Sequence, residues 1–321
     1  MSDSAEPQYH GRVAAIAETG KAGLRPLAKR FRIATRRARI LPGFIIIGAQ
    51  RAGTTSLFYY LRRHPDVRRP SSGDGSIFWP KELHFFDERY DRGLDWYRTF
   101  FPLAIDRRIA RARGRDLVAG EATPYYLFHP LVPERVAASL PDVRLIALLR
   151  DPIERAYSHY QLMVRTGREK LSFEDALAAE EKRLAREDVI GGEGVRTKYG
   201  ALSHQQHRHR AYITRGLYAD QLERWYAHFP RERLMVIRAE DFLSQPREIF
   251  ADVLRFLGLR DWQPTGFTAR NRGSYAPIEP EVRAELEERL AEPNARLATL
   301  LGWDRTWDRP AAHDRSLDSH R

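Results

Sequence analysis

Cysteine is absent from the 321 residues, so no disulfide framework holds this fold together and the redox compartment is left open. No apolar run is long enough for a membrane span or the core of a signal peptide, and neither is expected. Internal repeats and long linkers are also missing. A chain of this length buries a sizeable core, and one large domain accounts for it. Basic charge is not confined to one tract either. The net charge of +11 is spread along the sequence, which points to anionic ligands and away from a nucleic-acid partner.

The stretch Phe44 to Leu61, FIIIGAQRAGTTSLFYYL, reads as strand, phosphate loop and helix. Ile45, Ile46 and Ile47 form an uncharged β-branched run, as in a parallel strand buried on both faces. Gly48 and Gly53 bracket a turn holding Gln50, Arg51 and Ala52. Thr54, Thr55 and Ser56 then open a helix, where backbone N–H groups and hydroxyls can hold an anionic oxygen. A nucleotide triphosphate loop would place lysine after the second glycine, where this chain has Thr54. The cation is instead Arg51, inside the turn. The residues alone also fit an ordinary buried strand with a glycine turn.

Four further segments carry chemistry-bearing residues. Lys81 to Asp87, KELHFFD, interleaves Glu82, His84 and Asp87 with Leu83, Phe85 and Phe86; taken alone it fits a surface strand with a satisfied histidine better than a catalytic group. Leu117 to Phe128 reads as a strand ending in a loop with Thr123, Tyr125 and Tyr126, the tyrosines being equally sugar-stacking platforms or core aromatics. Arg144 to Leu149 is a second buried strand, closed by Arg150, Asp151 and Pro152 and followed by a helix carrying Arg155, Ser158 and His159. Asn271 to Tyr275 forms a basic glycine-containing loop. His204, His207 and His209 lack a carboxylate or cysteine at ligand spacing, so a solvated loop near the acceptor cleft is read there and no metal is expected. Helices are expected over Pro133–Leu140, Leu171–Glu187, Arg215–Phe229, Pro246–Leu257 and Pro280–Leu301, with a short strand at Leu234–Ile237.

These blocks, in this order, resemble the sulfotransferases that use 3'-phosphoadenosine 5'-phosphosulfate, and among them the heparan sulfate 3-O-sulfotransferase type. IIIGAQRAGTTSLFYYLRRHPDV is similar to their 5'-phosphosulfate loop, KELHFFDERYDRGLDWY to their catalytic segment, and RLIALLRDPIERAYSHY to their 3'-phosphate segment. The resemblance implies an α/β fold: a P-loop-like three-layer sandwich with a central parallel β-sheet flanked by helices. It implies cofactor contacts from Gln50, Arg51, Ala52, Gly53, Thr54, Thr55, Ser56, Arg150, Ser158, Tyr218, Arg272, Gly273, Ser274 and Tyr275. Arg215 is similar to a family residue lining the same pocket. Glu82, His84 and Asp87, with Arg51, become the catalytic set, and Lys81, Thr123, Tyr125 and Tyr126 the acceptor-binding set.

The implied mechanism is in-line sulfuryl transfer. A hydroxyl or amine of a carbohydrate, glycolipid or small natural product, deprotonated by Glu82, attacks sulfur while Arg51 and the loop N–H groups stabilise the departing nucleotide, adenosine 3',5'-bisphosphate. His84 is the rival base. The family often has lysine where this chain has Ala122, and the family's disulfide hairpin before the C-terminal loop is missing. Because the family's Golgi members carry an N-terminal membrane helix, its absence leads to a cytoplasmic expectation. The division expected is a flexible basic arm over 1–41, the sulfotransferase domain over 42–307 and a tail over 308–321. A phosphate-loop kinase and a non-catalytic nucleotide or polyanion binder are the competing readings.

Overall fold

The computed structural model describes residues 26–71, 82–185, 207–267, 275–304 and 306–307. Lys81, His204, Arg272, Gly273 and Ser274 lie outside the described residues. In chain order the elements are α1 (26–34), β1 (Phe44–Gly48), α2 (Thr54–Leu61), β2 (Val67–Arg68), α3 (Phe85–Glu88), α4 (Gly93–Arg98), α5 (Ala104–Ala112) and β3 (Val118–Ala122). There follow α6 (Val132–Ser139), β4 (Arg144–Leu149), α7 (Pro152–Arg165), α8 (Phe173–Ala185), α9 (Tyr218–Tyr226), β5 (Leu234–Arg238), α10 (Ala239–Ser244), α11 (Pro246–Phe256) and α12 (Pro280–Leu301).

The five strands form one parallel sheet in the order β2-β3-β1-β4-β5. Every residue of β1 is buried, and Leu145 to Leu149 of β4 are fully covered, because uninterrupted apolar runs suit strands packed by helices on both faces. This is the α/β, P-loop-like layered architecture that the resemblance implies. Close approach fixes a glycine at the end of β1: a Cβ on Gly48 would lie 2.5 Å from the Leu127 Cβ. Since β1, β3 and β4 are parallel neighbours, the loops after their last residues emerge at one edge of the sheet. Ligands of open α/β sheets bind at that edge.

Two features differ from the sequence reading. The arm expected to be flexible over 1–41 is folded from residue 26: α1 leads to Arg39, which is buried and donates from Nη1 to the Phe101 carbonyl at 2.6 Å. The surface strand that KELHFFD fits when taken alone is not formed over Glu82–Asp87. The second half of this segment is the helical turn α3, with Leu83, Phe85 and Phe86 in the core.

Candidate functional site

The loop after β1 is held in a fixed shape before any ligand is considered. The Ala49 N–H donates to the Leu148 carbonyl of β4 at 2.7 Å, and Ala52 N–H turns back to Ala49 at 3.2 Å. Gly53, at φ 91°, precedes α2, so the helix begins where the loop turns. Among the described residues only two non-glycine residues adopt left-handed φ, Arg51 at 72° and His84 at 48°. Strain of this kind persists where surrounding contacts impose it, and it clusters at sites of chemistry. For Arg51 the contact is with Ser158: its Nε donates to Ser158 Oγ at 2.9 Å across the gap between α2 and α7.

Arg150 follows the last residue of β4. Its Nη1 reaches the Arg51 carbonyl and its Nη2 the Glu154 carboxylate, both at 3.4 Å. The Tyr218 hydroxyl donates to the Arg150 carbonyl at 2.9 Å, so this buried tyrosine positions the strand end rather than standing open to a ligand. The start of α7 is secured by Asp151, whose side chain accepts from the Ile153 N–H at 2.8 Å, with Pro152 at the first helical position. Tyr275 packs edge-on against Tyr157 of the same helix, 5.3 Å between centroids. The loop thus meets Arg150 and Ser158, and Tyr275 packs on the helix that carries Ser158; all three are sequence candidates.

Buried cations crowd behind this surface. Arg155 is fully buried and donates from Nη2 to the Tyr212 carbonyl; its Nε and Nη1, the Arg215 Nε and both ring nitrogens of His159 have no hydrogen-bond partner among the described residues. Burial lowers the Arg215 guanidinium to about 9, with Arg155 and Arg208 adding to the fall. Burial also drives His159 well below its usual range, reinforced by Arg215 and Arg155. Burial lowers Arg51 as well, and Arg150 adds to it. Surplus buried positive charge short of acceptors fits a ligand bearing several negative groups, as a nucleotide with 5'-phosphosulfate and 3'-phosphate does.

The segment Glu82–Asp87 is tied to the end of β3. Thr123 Oγ1 accepts from the Leu83 N–H at 3.2 Å, and the Tyr126 hydroxyl accepts from the Phe85 and Phe86 N–H groups at 2.9 and 3.3 Å. Both hydroxyls then donate to Glu121, Thr123 at 2.8 Å and Tyr126 at 3.4 Å; Tyr97 donates to it too. Thr123 and Tyr126 are completely buried, which corrects the expectation that they face an acceptor: they are posts under the backbone of residues 83–86. Tyr125 is also covered. Its hydroxyl lies 2.5 Å from His207 Nδ1, and the Arg215 guanidinium sits over its ring at 4.8 Å, so that face is taken.

On this support His84 stands between two carboxylates. Its Nδ1 lies 2.6 Å from Asp87 Oδ2 and its Nε2 3.2 Å from Glu82 Oε2. Burial alone would lower the imidazole, but the bonds to Asp87 and Glu82 outweigh it and raise it to about 9. Arg208 Nη2 lies 2.8 Å from the same Nε2 while its Nη1 donates to Glu88. One nitrogen cannot donate to Glu82 and accept from Arg208 at once. The raised value favours the protonated ring and the bond to Glu82, with Arg208 a nearby opposing charge.

Sequence reasoning missed two residues. Glu121 carries the supports just described, and burial raises its carboxyl to about 7. Arg208 bridges the halves of the site: Arg215 donates to the Gln50 side chain and, from Nη2, to the Arg208 carbonyl at 2.7 Å, and Arg208 touches His84. The run of arginine and histidine around 207–215 was the available signal, though read as a solvated loop. His84, Asp87 and Glu88 place potential metal-ligating atoms within 4.8 Å of one another, but Asp87 is bonded to His84 and Glu88 to Arg208. An open cleft of about 850 Å³, lined by Asp151, Arg283, Trp303 and Trp307 among others, adjoins the β4 end and contains none of the catalytic candidates.

Residues 41–264 match the sulfotransferase domain family model. The human heparan sulfate glucosamine 3-O-sulfotransferase 3B1 is 30% identical, over 84% of this chain and 65% of its own length. The membrane-associated sulfotransferase kil1 of Dictyostelium discoideum is 26% identical, over 83% of this chain and 66% of its own. The chain therefore spans slightly less than two thirds of these relatives. A crystal structure of a sulfotransferase from Alicyclobacillus acidocaldarius superposes with a TM-score of 0.62 at 32% identity, covering 83% of this chain and 97% of that one. A family match across most of the folded chain, joined to a phosphate loop and a carboxylate–imidazole set at one sheet edge, places this chain in the sulfotransferase family.

Proposed function

We propose that this enzyme transfers a sulfuryl group from 3'-phosphoadenosine 5'-phosphosulfate to a hydroxyl of a sugar-containing acceptor. The observation that carries the reading is the continuous contact path Gln50–Arg215–Arg208–His84–Glu82, which joins the anion loop to a partly exposed carboxylate. When bound, the donor supplies an activated sulfuryl group and leaves as adenosine 3',5'-bisphosphate. Gln50 to Ser56, with the N-terminus of α2, would hold its 5' end; Arg150, Ser158 and Tyr275 would hold the 3'-phosphate, with Arg272, Gly273 and Ser274 completing that loop.

Glu82 accepts the acceptor's proton at its carboxylate. Its side chain is 36% exposed, whereas the His84 side chain is 8% exposed and protonated at neutral pH. The imidazolium fixes the orientation of Glu82 through Nε2, and Asp87 fixes the imidazolium through Nδ1. Arg51 places positive charge where the donor's leaving oxygen gains negative charge. The sugar assignment rests on the heparan sulfate relatives; with Thr123, Tyr125 and Tyr126 covered, acceptor contacts fall to Glu82, Lys81 and their surroundings.

Titration calorimetry in chelator tests the donor reading. Adenosine 3',5'-bisphosphate should bind at least tenfold more tightly than ATP with magnesium. Preference for ATP-magnesium would move the site to the kinase class. Mass spectrometry of sugar acceptors after incubation with labelled donor then reads the acceptor.

A further inference from the structure

Exposed apolar side chains on two helices form a pattern that sulfuryl transfer does not use. On α1, Leu27, Arg30, Phe31 and Ala34 stand at i, i+3, i+4 and i+7, the spacing of one helix face. On α5, Ile105, Arg108, Ile109 and Ala112 repeat the same order of residue classes at the same spacing. All eight are exposed, with Leu27 at 60%, Phe31 at 54%, Ile105 at 50% and Ile109 at 46%, and α5 buries none of its residues. A helix stabilised by packing hides such a stripe in the core; these two present theirs outward.

Charge surrounds both stripes. Residues 26–39 contain Lys29, Arg30, Arg32, Arg36, Arg37 and Arg39 and no acidic residue; Arg36 and Arg37 share Asp95 of α4 and Arg39 is buried, so the exposed charge on α1 itself comes from Lys29 and Arg30. On and after α5 stand Arg107, Arg108, Arg111 and Arg113; Asp106 is taken by the Leu103 N–H at 3.1 Å and Asp116 by Arg111 at 3.3 Å. The helices leave one junction, where Arg39 forms a bridge with Leu103 and the Ile40 N–H donates to the Pro102 carbonyl at 3.1 Å.

We propose that α1 and α5 together dock this enzyme on an anionic lipid bilayer, the apolar stripes entering the headgroup–acyl boundary and the arginines lying at the level of the lipid phosphates. Charge complementarity selects this occupant. A soluble polyanion would use the arginines but leaves Leu27, Phe31, Ile105 and Ile109 without a role. A second copy of this chain would bring the same positive field against itself.

Co-sedimentation of the full chain with vesicles tests the proposal without reference to turnover. The protein should pellet with phosphatidylglycerol–phosphatidylcholine vesicles and not with pure phosphatidylcholine, and release as salt rises. Phe31→Glu with Ile109→Glu should weaken binding roughly tenfold or more, and Arg30→Gln with Arg108→Gln should weaken it and flatten the salt dependence. Unchanged binding of adenosine 3',5'-bisphosphate by each variant shows that the fold is intact. Failure of the wild-type chain to pellet, or loss in the arginine variant with none in the Glu variant, overturns the proposal, the latter assigning the face to polyanions. Light scattering that shows a dimer broken by the Glu variant assigns it to a second copy and overturns it equally.

Discussion

Asp87 and Glu82 each present a carboxylate oxygen to the His84 ring, and the proton they retain there divides the labour among the three residues. With the imidazole raised to about 9, the ring is charged at neutral pH and has no free lone pair for an acceptor's proton. Glu82→Gln keeps the shape and one accepting oxygen but removes the proton acceptor, so turnover should fall roughly a hundred- to ten-thousand-fold with bisphosphate affinity unchanged. The pH profile adds a second readout. A histidine whose folded value is raised contributes stability that is complete below its ordinary value of 6.5 and is lost as pH rises through about 9. Turnover that needs the imidazolium should decline along the same limb, and His84→Asn, slower throughout, should lack that limb. Near-normal turnover in Glu82→Gln beside a dead His84→Asn would transfer the base to His84. The three residues were legible because they lie within six positions of one another in a recognisable block. Arg208 was not, since it meets His84 from 124 residues away and neither spacing nor periodicity encodes that approach.

At the scale of elements, the end of β3 does more than the sequence discloses. Leu117 to Phe128 reads as a strand ending in a loop, with no role for its glutamate. Folded, Glu121 is completely buried and gathers the Tyr97, Thr123 and Tyr126 hydroxyls, two of which carry the backbone around His84. The strands β1 and β4 and the helix α12 were readable from apolar runs and helical spacing, which are local properties. That KELHFFD turns into α3 was not readable, because the Tyr126 hydroxyl that binds its first amides arrives from another element. Glu121→Ala therefore leaves three buried hydroxyls short of an acceptor, at a cost of about 1–3 kcal/mol for each that stays unpaired. Urea unfolding should show a large loss of stability, and in the surviving folded fraction kcat should drop while bisphosphate affinity holds, since the phosphate loop is anchored separately through Leu148 and Ser158. An unaltered unfolding midpoint would remove Glu121 from its supporting role.

For the whole molecule, the loop after β1, the β4 end, α7 and the turn Thr214–Gly216 concentrate Arg51, Arg150, Arg155 and Arg215, and their burial, with their mutual repulsion added, weighs on the fold until an anion joins them. A ligand that spans the loop and the β4 end ties together the two central strands and the helices that follow them, so its binding should be felt by the entire cooperative unit. At a concentration a hundred times its dissociation constant, a ligand of the folded state adds about 2.7 kcal/mol, which for a chain of this size is a rise of several degrees in Tm. Adenosine 3',5'-bisphosphate should produce that shift in differential scanning calorimetry, and adenosine 5'-phosphate, lacking the 3'-phosphate, a smaller one at equal concentration. The double variant Arg51→Gln with Arg150→Ala loses the bond to Ser158 and the pairing with Glu154 but also removes two like charges from a crowded site, so its unliganded Tm should stay within a few degrees of the parent's, and it should lose most of the bisphosphate response. A variant that melts much earlier and still responds fully to the bisphosphate would show that these arginines hold the sheet edge together and that the anion binds elsewhere.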